Sequence, residues 1–267
     1  MIVTLRRLMV TERIRLGVVL AGLVAFQLLM VVVYDEVGDS VFAGLEGAGA
    51  LARGFDIRHA ITDDSVFANL IGVGFTHPLF LALLCTISVS LGARSCAGEL
   101  HDGTIELTLA HPVRRTGFLL GYQLYMALAA AVALVLVTVT IPLAARALDT
   151  PGRIGLGAVA QTSAQAWLLI GALGGVAMLL STWTSSRTAA TLRATGVVVA
   201  MYFIEFFAKL WPDIAWLGRV SPFHYFAPTD TLQGAGMAWG DVAILAVMWI
   251  VPVVLALWQF QRRDVAP

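Results

Sequence analysis

The chain is poor in charge. Of its 267 residues, 13% are Asp, Glu, Lys or Arg, where soluble domains carry about a quarter. Lysine is nearly absent: Lys209 stands alone, and the other basic residues are arginines. Such a surface could not keep the chain in water. With 59% hydrophobic residues and a mean hydropathy of +0.85, lipid is its natural solvent. Net charge is zero, which gives no electrostatic footprint for nucleic acid. Two cysteines, Cys85 and Cys96, lie in or beside one apolar segment and do not make a disulfide framework. No G-x-x-x-x-G-K-[ST] loop occurs, so this chain does not bind ATP in the P-loop manner. H-E-x-x-H and G-x-S-x-G are missing too, which speaks against an intramembrane hydrolase. No C-x-x-C or spaced histidine pair marks a metal site, and none is expected at His101, His111 or His224.

What is present is a set of long apolar runs. A crossing needs about 20 predominantly apolar residues. Six segments qualify: Gly17–Tyr34, Phe75–Arg94, Phe118–Leu148, Ala158–Trp183, Thr191–Leu210 and Val242–Phe260. An all-α, integral membrane fold with six transmembrane helices is expected. The arginines then sort by side. Arg6, Arg7, Arg13, Arg15, Arg94, Arg114, Arg115, Arg187, Arg193, Arg262 and Arg263 fall on one side, eleven of the 17 basic residues; Arg53, Arg58, Arg146, Arg153, Lys209 and Arg219 fall on the other. The positive-inside rule places the first side, with both termini, in the cytoplasm. Residues 1–15 place Ile2, Leu5, Leu8 and Met9 near helical spacing with arginines on other faces, the pattern of an amphipathic helix at the membrane surface. Residues 35–74 read as an external loop with a short helix around Val41–Ala52. Trp211–Asp230, rich in proline and aromatics, reads as a re-entrant or surface segment before the sixth span. Gly117 and Gly121, and again Gly171 and Gly175, form G-x-x-x-G pairs suited to close helix packing. Glu205 interrupts an aromatic run with Tyr202 and Phe206. An acid at membrane depth is costly and calls for a partner or a role, which makes these three candidates for a substrate path.

The connection between spans two and three, residues 95–116, is longer than a bare turn requires and is patterned. It reads Gly98-Glu-Leu-His-Asp-Gly-Thr-Ile-Glu-Leu-Thr-Leu-Ala-His-Pro-Val-Arg-Arg115. Its charged and apolar residues together suit docking on another surface. Gly98, Glu99, Gly103, Thr104, Glu106, Pro112 and Arg115 resemble, in order, the intracellular loop of ABC-2-type transporter permeases. The six-span layout, the amphipathic start and Ser-Pro-Phe-His-Tyr-Phe before the last span are similar to that family as well.

The resemblance implies a single transmembrane domain over residues 1–267 that serves as the permease subunit of an ATP-driven ABC transporter, an exporter. Residues 95–116 would form the cytoplasmic coupling helix, with Glu99, Gly103, Thr104, Glu106, Pro112, Arg114 and Arg115 as ATPase-coupling residues. The chain itself would be non-catalytic and hold no cofactor; ATP and Mg would sit on P-loop ATPase subunits. A second permease subunit, identical or homologous, would complete the pathway in the plasma membrane. The alternative is an ion-driven secondary transporter or channel without an ATPase partner. The substrate is not legible.

Overall fold

In a computed structural model, residues 2–46, 63–105, 115–150 and 154–263 are described. Every regular element among them is helical. A short helix α1 (Ile2–Thr11) leads into α2 (Arg13–Glu46); α3 (Asp63–Thr76) is followed by α4 (Pro78–Ala93), α5 (Arg115–Ala147), α6 (Leu156–Ser181), α7 (Arg187–Leu210) and α8 (Trp239–Arg262). Among the described residues, six stretches are long and apolar enough to cross a membrane: Arg13–Glu36, Pro78–His101, Arg115–Ala147, Leu156–Ser181, Arg187–Leu210 and Trp239–Arg262. A helix satisfies its own backbone hydrogen bonds, which a lipid-facing chain must do.

The helices are not equally buried. α6 carries the core: Leu169, Ile170, Leu173, Ala177 and Met178 are fully enclosed, with α4, α5, α7 and α8 around it. Small residues make this possible. A Cβ on Gly92 of α4 would lie 2.6 Å from the Ala177 Cβ and 2.9 Å from the Gly174 carbonyl oxygen, and one on Gly175 would lie 2.9 Å from the Trp249 carbonyl oxygen of α8. The glycine spacing read from Gly171 and Gly175 thus serves packing within this chain, since both face Trp249. By contrast α7 and α8 leave most of their apolar surface open.

Residues 35–74, expected as an outer loop, are largely helical where described. α2 continues to Glu46. The remainder of the expected helix Val41–Ala52 lies outside the described residues. α3 is packed into the body through Phe67, Ile71 and Phe75, all fully buried. It runs antiparallel to the later part of α2. Phe67 meets Tyr34, with ring centroids 4.7 Å apart, and a Cβ on Gly74 would lie 3.0 Å from Met30 Cγ. α4 carries on along the same partner: Phe80 stands beside Phe26, 6.1 Å between centroids, and Leu83 beside Gly22. α3 and α4 are therefore two pieces of one kinked path. The break is at His77, whose backbone is extended (φ −61°, ψ 133°) because Pro78 follows. The His77 Nδ1 accepts the Leu79 N–H at 3.2 Å, capping α4. At 14 residues, α3 was too short to show as a span.

At the other end of the molecule, arginines meet carbonyls and carboxylates. Arg263, after α8, donates to the carbonyls of Thr182 at 2.7 Å and Thr184 at 3.1 Å, just past the end of α6. Arg115, opening α5, donates to the Arg263 carbonyl at 2.9 Å. Both ends of the described chain thus lie at one end of the bundle, as an even number of crossings requires. Gly92→Ala and Gly175→Ala are expected to lower the melting temperature in detergent. Overpacking costs about 1–3 kcal/mol, more than the helix-propensity gain of about 1 kcal/mol. Gly196→Ala, with open space around it, is expected to raise it slightly.

Candidate functional site

The segment singled out in the sequence begins where α4 stops being regular. Ala93 leads into a π-helical turn, Arg94–Gly98, and then one α-turn, Glu99–His101. Such bulges rotate the residues that follow relative to the helix before them. Ser95, Cys96, Ala97 and Gly98 face inward. The helix ends at Gly103, whose φ of 65° is left-handed and suits glycine.

Glu99 is fully buried. A buried carboxylate needs donors around it, and this one has three, with a further guanidinium nearby. Arg7 of α1 forms an ion pair with Oε1. Tyr122 of α5 donates its hydroxyl to the same oxygen. Thr104 donates to Oε2 at 2.5 Å. Arg94 Nε lies 3.8 Å from Oε1. Arg7 also reaches the Tyr122 oxygen at 3.1 Å. Burial works against the Arg7 charge, but the Tyr122 hydroxyl and the Glu99 carboxylate outweigh it and hold the guanidinium above its ordinary pKa. A second acid, Glu12, extends the set: Arg94 pairs with its Oε1, and Arg15 Nη1 lies 3.1 Å from its Oε2. The α1 helix is thereby fastened to the turn after α4 by an ion pair and to α5 by the Tyr122 hydroxyl, with Leu8 fully buried beneath it.

The candidate coupling residues divide accordingly. Glu99 is spent inside the chain rather than offered outward. Thr104 bonds Glu99, and Gly103 makes the exposed turn with His101 and Asp102. Arg115 holds Arg263. Glu106, Pro112 and Arg114 lie outside the described residues. Arg7, Glu12, Arg94 and Tyr122 were not singled out. The signal for them was a lone acid, Glu12, inside an arginine-rich start, and another, Glu99, at the end of an apolar run.

A second feature lies between α4 and α7. A groove of about 470 Å³ is lined by Cys85, Thr86, Val89 and Ser90 on one side and by Thr191, Thr195, Val199 and Tyr202 on the other, with Phe203 and Phe223 among the rings nearby. None of its lining residues is charged. Thr86 and Ser90 donate their hydroxyl hydrogens to their own helix, and Thr191 does the same on α7, so these hydroxyls present lone pairs to the groove. Of the candidate substrate residues, Tyr202 lines it. Glu205 and Phe206 line a much smaller cavity beside it, again with Tyr202. Hydroxyls one helical turn apart on two spans were the signal for this wall. Both cysteines are free thiols, and among the described residues no three His, Cys, Asp or Glu side chains converge as metal ligands would.

A helical chain with six apolar crossings and a charged, capped turn after the second is a multi-pass membrane transport component. It belongs to the ABC-2 family of transporter proteins, whose family model matches residues 9–265. No curated protein sequence matches the chain. The chain is therefore a membrane permease of the ABC transporter kind, a kind that associates with ABC ATPase subunits.

Glu99→Gln keeps the shape but removes the charge at the centre of the cluster. It is expected to cost about 1–3 kcal/mol of stability and to speed tryptic cleavage after Arg6 and Arg7 as α1 loosens. Combining it with Arg7→Gln is expected to cost less than the sum of the two, by about 1 kcal/mol, in thermal unfolding.

Proposed function

We propose that this chain is one half of the membrane pathway of an ATP-driven exporter, with ATP and Mg bound only by partner P-loop ATPase subunits. The observation that carries the reading is the bulged, glycine-ended turn at His101–Thr104. It lies at the same end as both ends of the described chain, and its root, Glu99, continues from α4 through the π-helical turn and is bonded to Arg7 of α1 and Tyr122 of α5. A push on that turn would reach three helices at once, because the buried carboxylate cannot let go of its donors without leaving a charge unpaired. Residues 99–115 act as the coupling segment, and the arginine-rich end faces the cytoplasm of a plasma membrane by the distribution of positive charge. α1 lies along that surface as an interfacial helix, its exposed Val3, Met9 and Val10 turned to lipid.

The groove between α4 and α7 is the substrate wall of this half. Its size suits a small ligand, and α7 beside it leaves Val199, Phe203 and Phe207 exposed, a surface that a second permease copy would cover to complete the pathway. No acid lines the groove, which fits an ATP-driven route better than an ion-driven one, where acids at membrane depth carry the coupling ion. The chain performs no chemistry of its own.

A benzophenone-bearing side chain in place of the exposed Asp102 is expected to cross-link a co-expressed P-loop ATPase subunit upon illumination. The same probe at Trp239, at the opposite end of the bundle, is expected to give no such adduct. An ATPase adduct from Trp239 and none from Asp102 would reverse the reading.

A further inference from the structure

Two rings stand between the α4–α7 groove and a smaller cavity beside it. Tyr202 of α7 and Phe223 of the 3-10 turn Pro222–Tyr225 both line it. They meet edge to face, centroids 5.7 Å apart and planes at 87°. Directly beyond them lies the small cavity that holds Glu205, lined by the same two rings. Glu205 is only 5% exposed. Its Oε2 stands 3.0 Å from His224 Nδ1, and since a carboxylate accepts, the imidazole nitrogen donates. Its Oε1 lies 3.6 Å from Lys209 Nζ. His224 follows Phe223 in the same turn, so the bond to Glu205 constrains the backbone that carries the Phe223 ring. The turn before it closes over the pair at Gly218, where a Cβ would lie 2.6 Å from Glu205 Oε2 and 3.0 Å from His224 Nδ1. The root of the turn is tied to α7 by Ser221, which donates to the Met201 carbonyl at 2.9 Å.

We propose that Glu205 and His224 form a latch that holds an aromatic gate, Tyr202 against Phe223, shut across one end of the groove. Glu205 is then a positioning residue and not a substrate contact. A buried carboxylate beside a histidine and a lysine is stable only while its donors stay in place, so the latch has two states: engaged with the rings in contact, or broken with Phe223 released. The meaning of the gate for transport rests on the groove being the substrate pathway; the latch geometry does not.

The chain carries its own reporter. Cys85 lines the groove, while Cys96, fully buried, sits near the arginine-rich end against Arg263, 3.7 Å from its Nη1. The experiment uses the full chain in lipid nanodiscs with a charged thiol reagent that does not enter lipid, and follows both cysteines by mass spectrometry. His224→Ala is expected to raise the Cys85 rate about tenfold, the equivalent of about 1.4 kcal/mol. Glu205→Ala is expected to do the same. His224→Asn, whose amide N–H can stand where Nδ1 stood, is expected to stay within about twofold of the unmodified chain, as a retained hydrogen bond requires. Phe223→Ala is expected to label fast with the latch residues intact. Cys96 is expected to stay unlabelled throughout. The proposal is overturned if His224→Ala and Glu205→Ala label at the original rate, if His224→Asn behaves as His224→Ala, or if Cys96 labelling rises in step, which would make the pair a tie of the whole fold. Should labelling follow the proposal while groove substitutions leave transport unchanged, the gate stands and the pathway reading falls.

Discussion

One buried carboxylate organises the arginine-rich end of this molecule. Glu99 has no exposed surface, and a charge in that position is tolerable only when donors surround it. They come from Arg7 of α1, Tyr122 of α5 and Thr104 just beyond Glu99, so α1 and α5 are brought to one point on the turn that follows α4. The π-helical turn Arg94–Gly98 fits the same demand. By rotating the helix before Glu99, it lets Arg94 reach Glu12 on one side while Glu99 meets Arg7 and Tyr122 on the other. Without the carboxylate, α1 would keep Leu8, Thr4 and Leu5 beneath it and the Arg7–Tyr122 hydrogen bond, but lose its ion pair.

The remainder of the architecture follows from how unevenly the helices are buried. α6 is enclosed because Gly92, Gly174 and Gly175 remove the side chains that would keep α4 and α8 at a distance. Once those helices close on α6, α7 is left at the margin, touching α4 across a groove instead of a packed seam. A wall of hydroxyls and rings with no charge is the result. At its far end the chain doubles back through Pro212–Val220 and Pro222–Tyr225. The Thr231–Ala235 turn then wedges between α3 and α6, bonded through Gln165 to Thr231 at 3.2 Å and Gln233 to Asn69 at 2.8 Å. Buried away from water, these amides and the hydroxyl satisfy one another.

The six crossings were legible because hydrophobic length is set by the bilayer and little else. The family was legible because Gly98, Glu99, Gly103, Thr104 and Arg115 keep both spacing and topological place. α3 was not, since a buried helix of 14 residues falls below crossing length and follows a stretch rich in Gly and Asp. The partners of Glu99 were hidden for a different reason. Arg7 lies 92 positions away, and nothing in spacing says which arginine of eleven will fold against which acid. Glu205 was noticed as an acid out of place, but its answer, His224, depended on a turn whose path sequence periodicity does not describe. Contacts inside one helix can be read from the chain; those closed by tertiary folding need the coordinates.

The central claim is that the turn rooted on Glu99 is where a nucleotide-hydrolysing partner holds this permease. Electron cryo-microscopy of the chain purified with its co-expressed ATPase tests it most directly. The account predicts partner density seated on residues 101–104 and the stretch leading to Arg115, with Glu99 still enclosed by Arg7 and Tyr122. Partner density at the opposite end beside Lys209 and His224, or an assembly in which that turn touches nothing, would contradict it.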